Sequence, residues 1–160
     1  MNIIKKNLFI ILFLFICLNY SYSAGTFESS NDNPKNNYEN ASYLIKSAKN
    51  LEKKNKTKKA LKRYEKAIKY LLKSNKKKPN NPDTLNYLGF SNRKLGNFKL
   101  AENYYLQGLK IKPDHNGINE YLGELYIQTN RINLAKERLK VLKNCKCEEF
   151  EELKKLIENN

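Results

Sequence analysis

Residues 85–108 read LNYLGFSNRKLGNFKLAENYYLQG, and residues 119–142 read NEYLGELYIQTNRINLAKERLKVL. The two stretches align without a gap. Tyr87-Leu88-Gly89 lies over Tyr121-Leu122-Gly123, and Leu100-Ala101 over Leu134-Ala135. Gly89 to Gly123 is 34 positions, and so is Ala101 to Ala135. Self-similarity at a fixed period is the mark of a repeat architecture, in which each unit is one supersecondary element that needs its neighbours to bury its apolar face.

A third, degenerate unit lies upstream. Ala60, Tyr64 and Ala67 reproduce the spacing of Ala101, Tyr105 and Gly108, and Ala48 falls where Gly89 and Gly123 sit. Ala60 to Ala101 is 41 positions, seven more than the period. The surplus fits as an extension of a helix through Tyr70-Leu71-Leu72 to about Lys76, before Pro79 and Pro82 break it.

The stretch Pro82 to Pro113 resembles a tetratricopeptide repeat (TPR) at Leu88-Gly89, Gly96-Asn97-Phe98, Ala101, Tyr105, Leu109 and Pro113. The stretch Asn116 to Cys145 is similar at Leu122-Gly123, Tyr126, Ala135 and Leu139. It departs at the turn, where Asn130-Arg131 replaces the usual Gly, and it lacks a closing Pro. The resemblance implies an all-α fold: a right-handed α-solenoid of about three helix pairs plus a C-terminal capping helix. The units fall at about 41–79, 82–115 and 116–146, with the cap at 147–158, inside a domain spanning 39–160. Gly89, Gly123 and Ala48 would then sit where the first helix of a pair touches its partner, and a bulky side chain there would push the axes beyond the usual 8–10 Å. Ala60, Ala101 and Ala135 would do the same for the second helix. Tyr64, Tyr105 and Leu139 would fill the space between units. In the cap, Phe150, Leu153, Leu156 and Ile157 line one helical face.

The rest of the composition agrees with helices. Gly and Pro number only 6 and 4, too few for the turns of a many-stranded sandwich. The formal net charge is +15. Such a charge reads either as attraction to an anionic partner or as a Lys-rich bias painting solvated faces. Lys far outnumbers Arg, the better residue for bidentate phosphate recognition, which favours the solvated reading.

The N-terminus reads as an address. Lys5 and Lys6 precede an uncharged apolar run from Leu8 to Leu18, followed by small residues at Ser21, Ser23 and Ala24. This is the tripartite pattern of a secretory signal peptide over residues 1–23, with an uncleaved anchor as the alternative. The run is short against the roughly 20 apolar residues of a membrane-spanning helix. Cys17 follows Ile16 inside the run and reads as one of its hydrophobic residues rather than a lipidation site. The protein is therefore expected to be exported, periplasmic or secreted, with no nucleic-acid partner. Residues 24–38, Asn- and Ser-rich, are expected to form a flexible linker.

Four candidate sites follow. The resemblance places a concave groove along the first helix of each unit: Ile45, Lys49 and Glu52, then Asn86, Phe90, Arg93 and Lys94, then Glu120, Glu124, Ile127 and Gln128. It implies a protein or peptide partner, with Phe90 and Ile127 as apolar anchors beside Arg93, since aromatic and Arg residues are over-represented among hot spots. Where some relatives clamp a C-terminal carboxylate, this chain has Ile45, Lys49, Tyr87, Gly117 and Tyr121, of which only Lys49 suits that task. The second site is Cys145-Lys146-Cys147. In an oxidising compartment the pair reads as a staple between the last unit and the cap, as a labile redox pair, or as free thiols or an intermolecular link. The third is the stretch Lys53 to Lys78, with thirteen basic residues and one acid, Glu65. It reads first as a solvated face, and alternatively as a weak contact for an anionic membrane, polymer or acidic partner. The fourth, His115, is the only His and reads as a turn residue before a helix start at Asn116.

No Gly-rich phosphate loop, Ser–His–Asp order, zinc motif or paired-carboxylate arrangement appears, so no enzyme, metal or cofactor is expected. The leading expectation is an exported TPR scaffold or adaptor acting through its groove. Its rivals are a thiol-redox protein using the Cys-x-Cys pair and a binder of anionic membrane or polymer through the Lys-rich helix. The sequence leaves the oligomeric state open.

Overall fold

The computed structural model describes residues 33–160; the expected signal segment and residues 24–32 of the expected linker lie outside the described residues. The described chain runs as seven helices: α1 (Pro34–Lys53), α2 (Thr57–Lys77), α3 (Pro82–Lys94), α4 (Phe98–Ile111), α5 (Asn116–Gln128), α6 (Ile132–Leu142) and α7 (Glu148–Glu158). No strand occurs among the described residues. Helices α1 and α2, α3 and α4, and α5 and α6 pair tightly. Each following unit packs on the one before it, and α7 packs on both α5 and α6. The architecture is an all-α solenoid of three helix pairs closed by a capping helix, as the resemblance implies.

Local chemistry sets the helix starts. Asn33, Asn81 and His115 are the N-caps of α1, α3 and α5. The Asn33 side chain accepts a hydrogen bond from the Lys35 N–H at 3.0 Å, and that of Asn81 from the Thr84 N–H at 2.9 Å. His115 Nδ1 accepts from the Ile118 N–H at 3.2 Å. Each satisfies one of the donors that a helix leaves open at its first turn. The only His is thus a helix cap, and its Nε2 lies 3.1 Å from Asp83 on α3.

The turn inside each pair is built the same way three times. Asn55, Gly96 and Asn130 take positive φ of 55°, 82° and 58°. The next N–H then reaches five residues back: Lys56 to the Leu51 carbonyl, Asn97 to Asn92 and Arg131 to Tyr126, at 2.9, 2.9 and 2.7 Å. This is the Schellman closure of a helix C-terminus, which needs one left-handed residue. Asn is the side chain that tolerates that conformation best after Gly, so Asn130 serves where the family pattern has Gly.

Small residues let the pairs approach. A Cβ on Gly89 would overlap the ring of Tyr105, and one on Gly108 would overlap Ile118. Ala48, Ala60, Ala101 and Ala135 are fully buried, as are Tyr64 and Tyr105. The third unit differs from expectation. Leu139 is only half-buried, and a Cβ on Gly123 would meet Leu153 of α7 at 2.6 Å. The cap supplies the filling over Gly123.

Two further expectations are corrected. Residues 34–38 are helical rather than linker: α1 starts at Pro34, and Tyr38 stacks on Tyr87 with ring centroids 5.5 Å apart. Pro at a first helical position is preorganised for a helix and gives up no intrahelical bond. In the cap, Leu156 is 41% exposed, while Leu153 is fully buried.

Candidate functional site: the inner face of α1, α3 and α5

Helix α3 lies between α1 and α5, and its inner face is roofed by side chains from both. Lys49 of α1 reaches over α3 to donate a hydrogen bond to the Tyr121 hydroxyl of α5 at 3.0 Å. Beneath this bridge lies the Phe90 ring. Its centroid is 4.7 Å from the Lys49 ammonium, 4.7 Å from the Tyr121 ring and 5.8 Å from the edge-on Tyr64 ring. Arg93 stacks close by, 5.4 Å from the Phe90 centroid and 5.8 Å from that of Tyr121. A cation over an aromatic face is worth about 0.5–2 kcal/mol, more as water is excluded.

Two ion pairs cross-link the three helices. Lys94 of α3 meets Glu52 of α1 at 2.9 Å, and Arg93 of α3 meets Glu124 of α5 at 2.7 Å. Burial raises the Tyr121 phenol well above its ordinary range, and the nearby Glu120 and Glu124 carboxylates add to the shift. The hydroxyl stays protonated, able to accept from Lys49 and still donate to a ligand.

This geometry corrects the expected anchors. Phe90 is 3% exposed and Arg93 4%, so neither is offered to a partner. Repeat-level mapping gives the face of each residue but not what neighbouring helices lay over it. Here Tyr121, Tyr64 and Lys49 cover Phe90. Asn86 is buried against Gly117 at the start of α5. Ile127 is half-buried and packs on the core of the last two units rather than standing free. Glu120 is buried too, and faces the cap. Its carboxyl is pushed up to about 9, first by burial, then by a hydrogen bond with Glu152 of α7 and by the charge of Glu124. At neutral pH it is a neutral acid helping to seat the cap.

What remains accessible is a rim: Lys49 is exposed, and Glu52, Tyr87, Lys94, Tyr121 and Glu124 are half-buried. Tyr87 and Tyr121 are the residues that the sequence reading undervalued. Their signal was present, since they occupy the same position 34 residues apart, immediately before Leu-Gly.

Cys145 and Cys147 are bonded to each other, with Cα atoms 5.2 Å apart and Lys146 between them at φ 51°. The bond lies in the connection between α6 and α7, and Cys147 is the N-cap of α7. Among the described residues no group of three or more His, Cys, Asp or Glu could hold a metal ion, and no helix is long and apolar enough to cross a membrane.

Comparison with known proteins supports the same architecture. The tetratricopeptide repeat family model matches residues 82–115. No curated protein sequence matches the chain. Among solved structures, the chain is similar to the type III secretion translocator chaperone SycD of Yersinia enterocolitica. The identity is 18%, with a TM-score of 0.53, over 76% of this chain and 88% of that one. It is also similar to the first TPR of Spaghetti (RPAP3) bound to the HSP90 peptide SRMEEVD, at 18% identity and a TM-score of 0.48, over 76% of this chain and 94% of that one. At 18% identity the likeness to SycD is one of fold. Residues 82–115 are thus matched as a tetratricopeptide repeat, two more helix pairs share its turn and its packing, and the described chain has the fold of a tetratricopeptide-repeat solenoid.

Proposed function

We propose that this protein is an exported, non-enzymatic scaffold that holds a protein or peptide segment against the inner face of α1, α3 and α5. One observation carries the reading: the Lys49–Tyr121 bridge over Phe90 makes a rigid floor whose upper surface keeps a charged and hydroxylated rim open to solvent. Buried aromatic support beneath a polar rim is the arrangement that interfaces use to combine preorganisation with specificity. The export half rests on the tripartite pattern of residues 1–23.

The direct test is photo-crosslinking in the native cell. A photoreactive residue is placed at Tyr87 or Lys94 on the rim, or at Leu106, exposed on α4, as the control. A common adduct from both rim positions, missing from Leu106, supports the groove. An adduct from Leu106 alone, or from none of the three, removes it. Amino-terminal sequencing of the native protein tests the export half, which requires a start at Ala24.

A further inference from the structure

The strongest feature that the inner face leaves unused is the outer surface of α2. Its buried stripe is Ala60, Tyr64, Ala67, Leu71 and Ser74. On the opposite face run Lys58, Lys62, Lys66, Lys69, Lys73 and Lys76, all exposed. Their steps of three and four residues place them in one line along the helix. At 1.5 Å per residue the line is about 27 Å long. None of the six forms an ion pair among the described residues.

A Lys-rich bias alone does not explain the line. Helices that only face water usually interleave opposite charges at these spacings, because like charges three or four apart destabilise a helix. The same chain does so elsewhere: α7 carries Glu148, Glu149, Glu151 and Glu152 with Lys154 and Lys155, and Lys154 lies 4.0 Å from Glu158. In α2 the only acid is Glu65. Glu65, three residues from Lys62 and four from Lys69, is the single opposite charge at these spacings, so most of the repulsion along the line is left unrelieved within α2.

We infer that the lysine line of α2 is a docking rail for an anionic lipid bilayer. Three observations choose this occupant. The residues are Lys, diffuse point charges suited to a field of headgroups rather than to bidentate recognition of one phosphate. The line is straight and stands on the side of α2 away from the core, so it can lie along a flat surface but cannot enclose a strand. And the apolar side chain beside it, Leu72, is 46% exposed, three residues from Lys69 and four from Lys76. A lone aliphatic group among lysines is placed to enter the headgroup boundary while the ammonium groups stay at its surface. No exposed aromatic interleaves the six lysines to stack on bases, as single-strand binders require. The rail does not depend on the inner-face reading, and either can fail alone.

The test is co-sedimentation of the full chain with vesicles of phosphatidylcholine alone or with about a third phosphatidylserine. The apolar run Leu8–Leu18 is common to every variant and both vesicle types, so the difference between vesicles isolates the rail. The wild type is expected to bind the anionic vesicles at least about tenfold more tightly, with the preference falling as salt is raised. Replacing the six lysines by Gln should abolish the preference, and replacing them by Arg should keep it, with far-ultraviolet circular dichroism showing that both variants fold. Equal binding to the two vesicle types, or a preference that survives the Gln variant, overturns the proposal. Tighter binding to duplex DNA than to anionic vesicles at equal phosphate overturns it as well, and reassigns the rail to nucleic acid.

Discussion

Lys49 and Tyr121, 72 positions apart in the chain, are held 3.0 Å apart over the Phe90 ring, so the first and third units of the solenoid touch across the second. A side chain in that position is structural before it is anything else. Phe90→Ala removes the floor of the inner face and should cost about 3–5 kcal/mol, the range for a buried Phe. Lys49→Ala, at the exposed rim, should cost about 1 kcal/mol or less, because it gives up a cation–π contact and a hydrogen bond in solvent. Urea unfolding of both variants checks the contrast. It also decides how partner binding is read, since loss of binding in Phe90→Ala would follow from loss of fold.

The two packing glycines should respond unequally. Gly89→Ala gains about 0.8–1 kcal/mol of helix propensity but drives a methyl into the fully buried Tyr105 ring, and overpacking costs about 1–3 kcal/mol. A net loss of about 1–2 kcal/mol is expected. Gly123→Ala meets both δ-methyls and the Cγ of Leu153, but that leucine belongs to the terminal helix α7, which can shift as a unit where the Tyr105 ring cannot, so stability should stay within about 1 kcal/mol of the parent. Denaturant midpoints at constant slope measure both.

Glu120 makes stability depend on pH. Its folded-state value is raised to about 9 from 4.5, so the folded chain holds the proton more tightly than the unfolded one. The associated stability is complete below about pH 4.5, falls as pH rises, and is lost once pH passes about 9. Between these limits the urea midpoint should decline. Glu120→Gln, which keeps the shape and hydrogen bonding of the neutral acid, should flatten that decline. A midpoint equally steep in parent and variant would assign the pH dependence to other groups.

The turn at Asn130 offers a sharper test of backbone chemistry. At φ 58° a residue with a Cβ pays the left-handed penalty of roughly 1–2 kcal/mol, which Asn partly escapes by local hydrogen bonding and Gly escapes altogether. Asn130→Ala should therefore destabilise by about 1 kcal/mol, and Asn130→Gly should be neutral or slightly stabilising. Paired thermal melts give the sign of each.

The residues that carry the 34-residue spacing are those whose chemistry is local or periodic. Gly89, Ala101 and Tyr105 announce a helix pair because nothing else in that register would let the axes approach. The same logic, with Ala in place of Gly, reaches the first unit through Ala48, Ala60 and Tyr64. Where the reading failed, the cause was a neighbour. Phe90 and Arg93 lie on the inward face as read, but their burial depends on Tyr121 and Lys49, distant in sequence and brought in by the packing of the units. Glu120 faces α7, and only the docking of the cap turns it from a groove carboxylate into a buried acid. The start of α1 was missed for the opposite reason: Asn33-Pro34 is a local helix signal, but the Asn-rich run around it lacks the apolar periodicity that would have drawn attention to it.

Leu153 has a consequence for length. A series of like units contains no instruction for how many there should be, since each exposes the same seat for the next. In the second unit the hollow over Gly89 is filled from within, by Tyr105; in the third the hollow over Gly123 is filled by Leu153 from α7. The cap packs on α5 and α6 as α5 packs on α3 and α4, so it takes the berth a fourth unit would need. The described array is thereby given a direction and an end-stop on its C-terminal side, supplied by a leucine that belongs to none of the repeats.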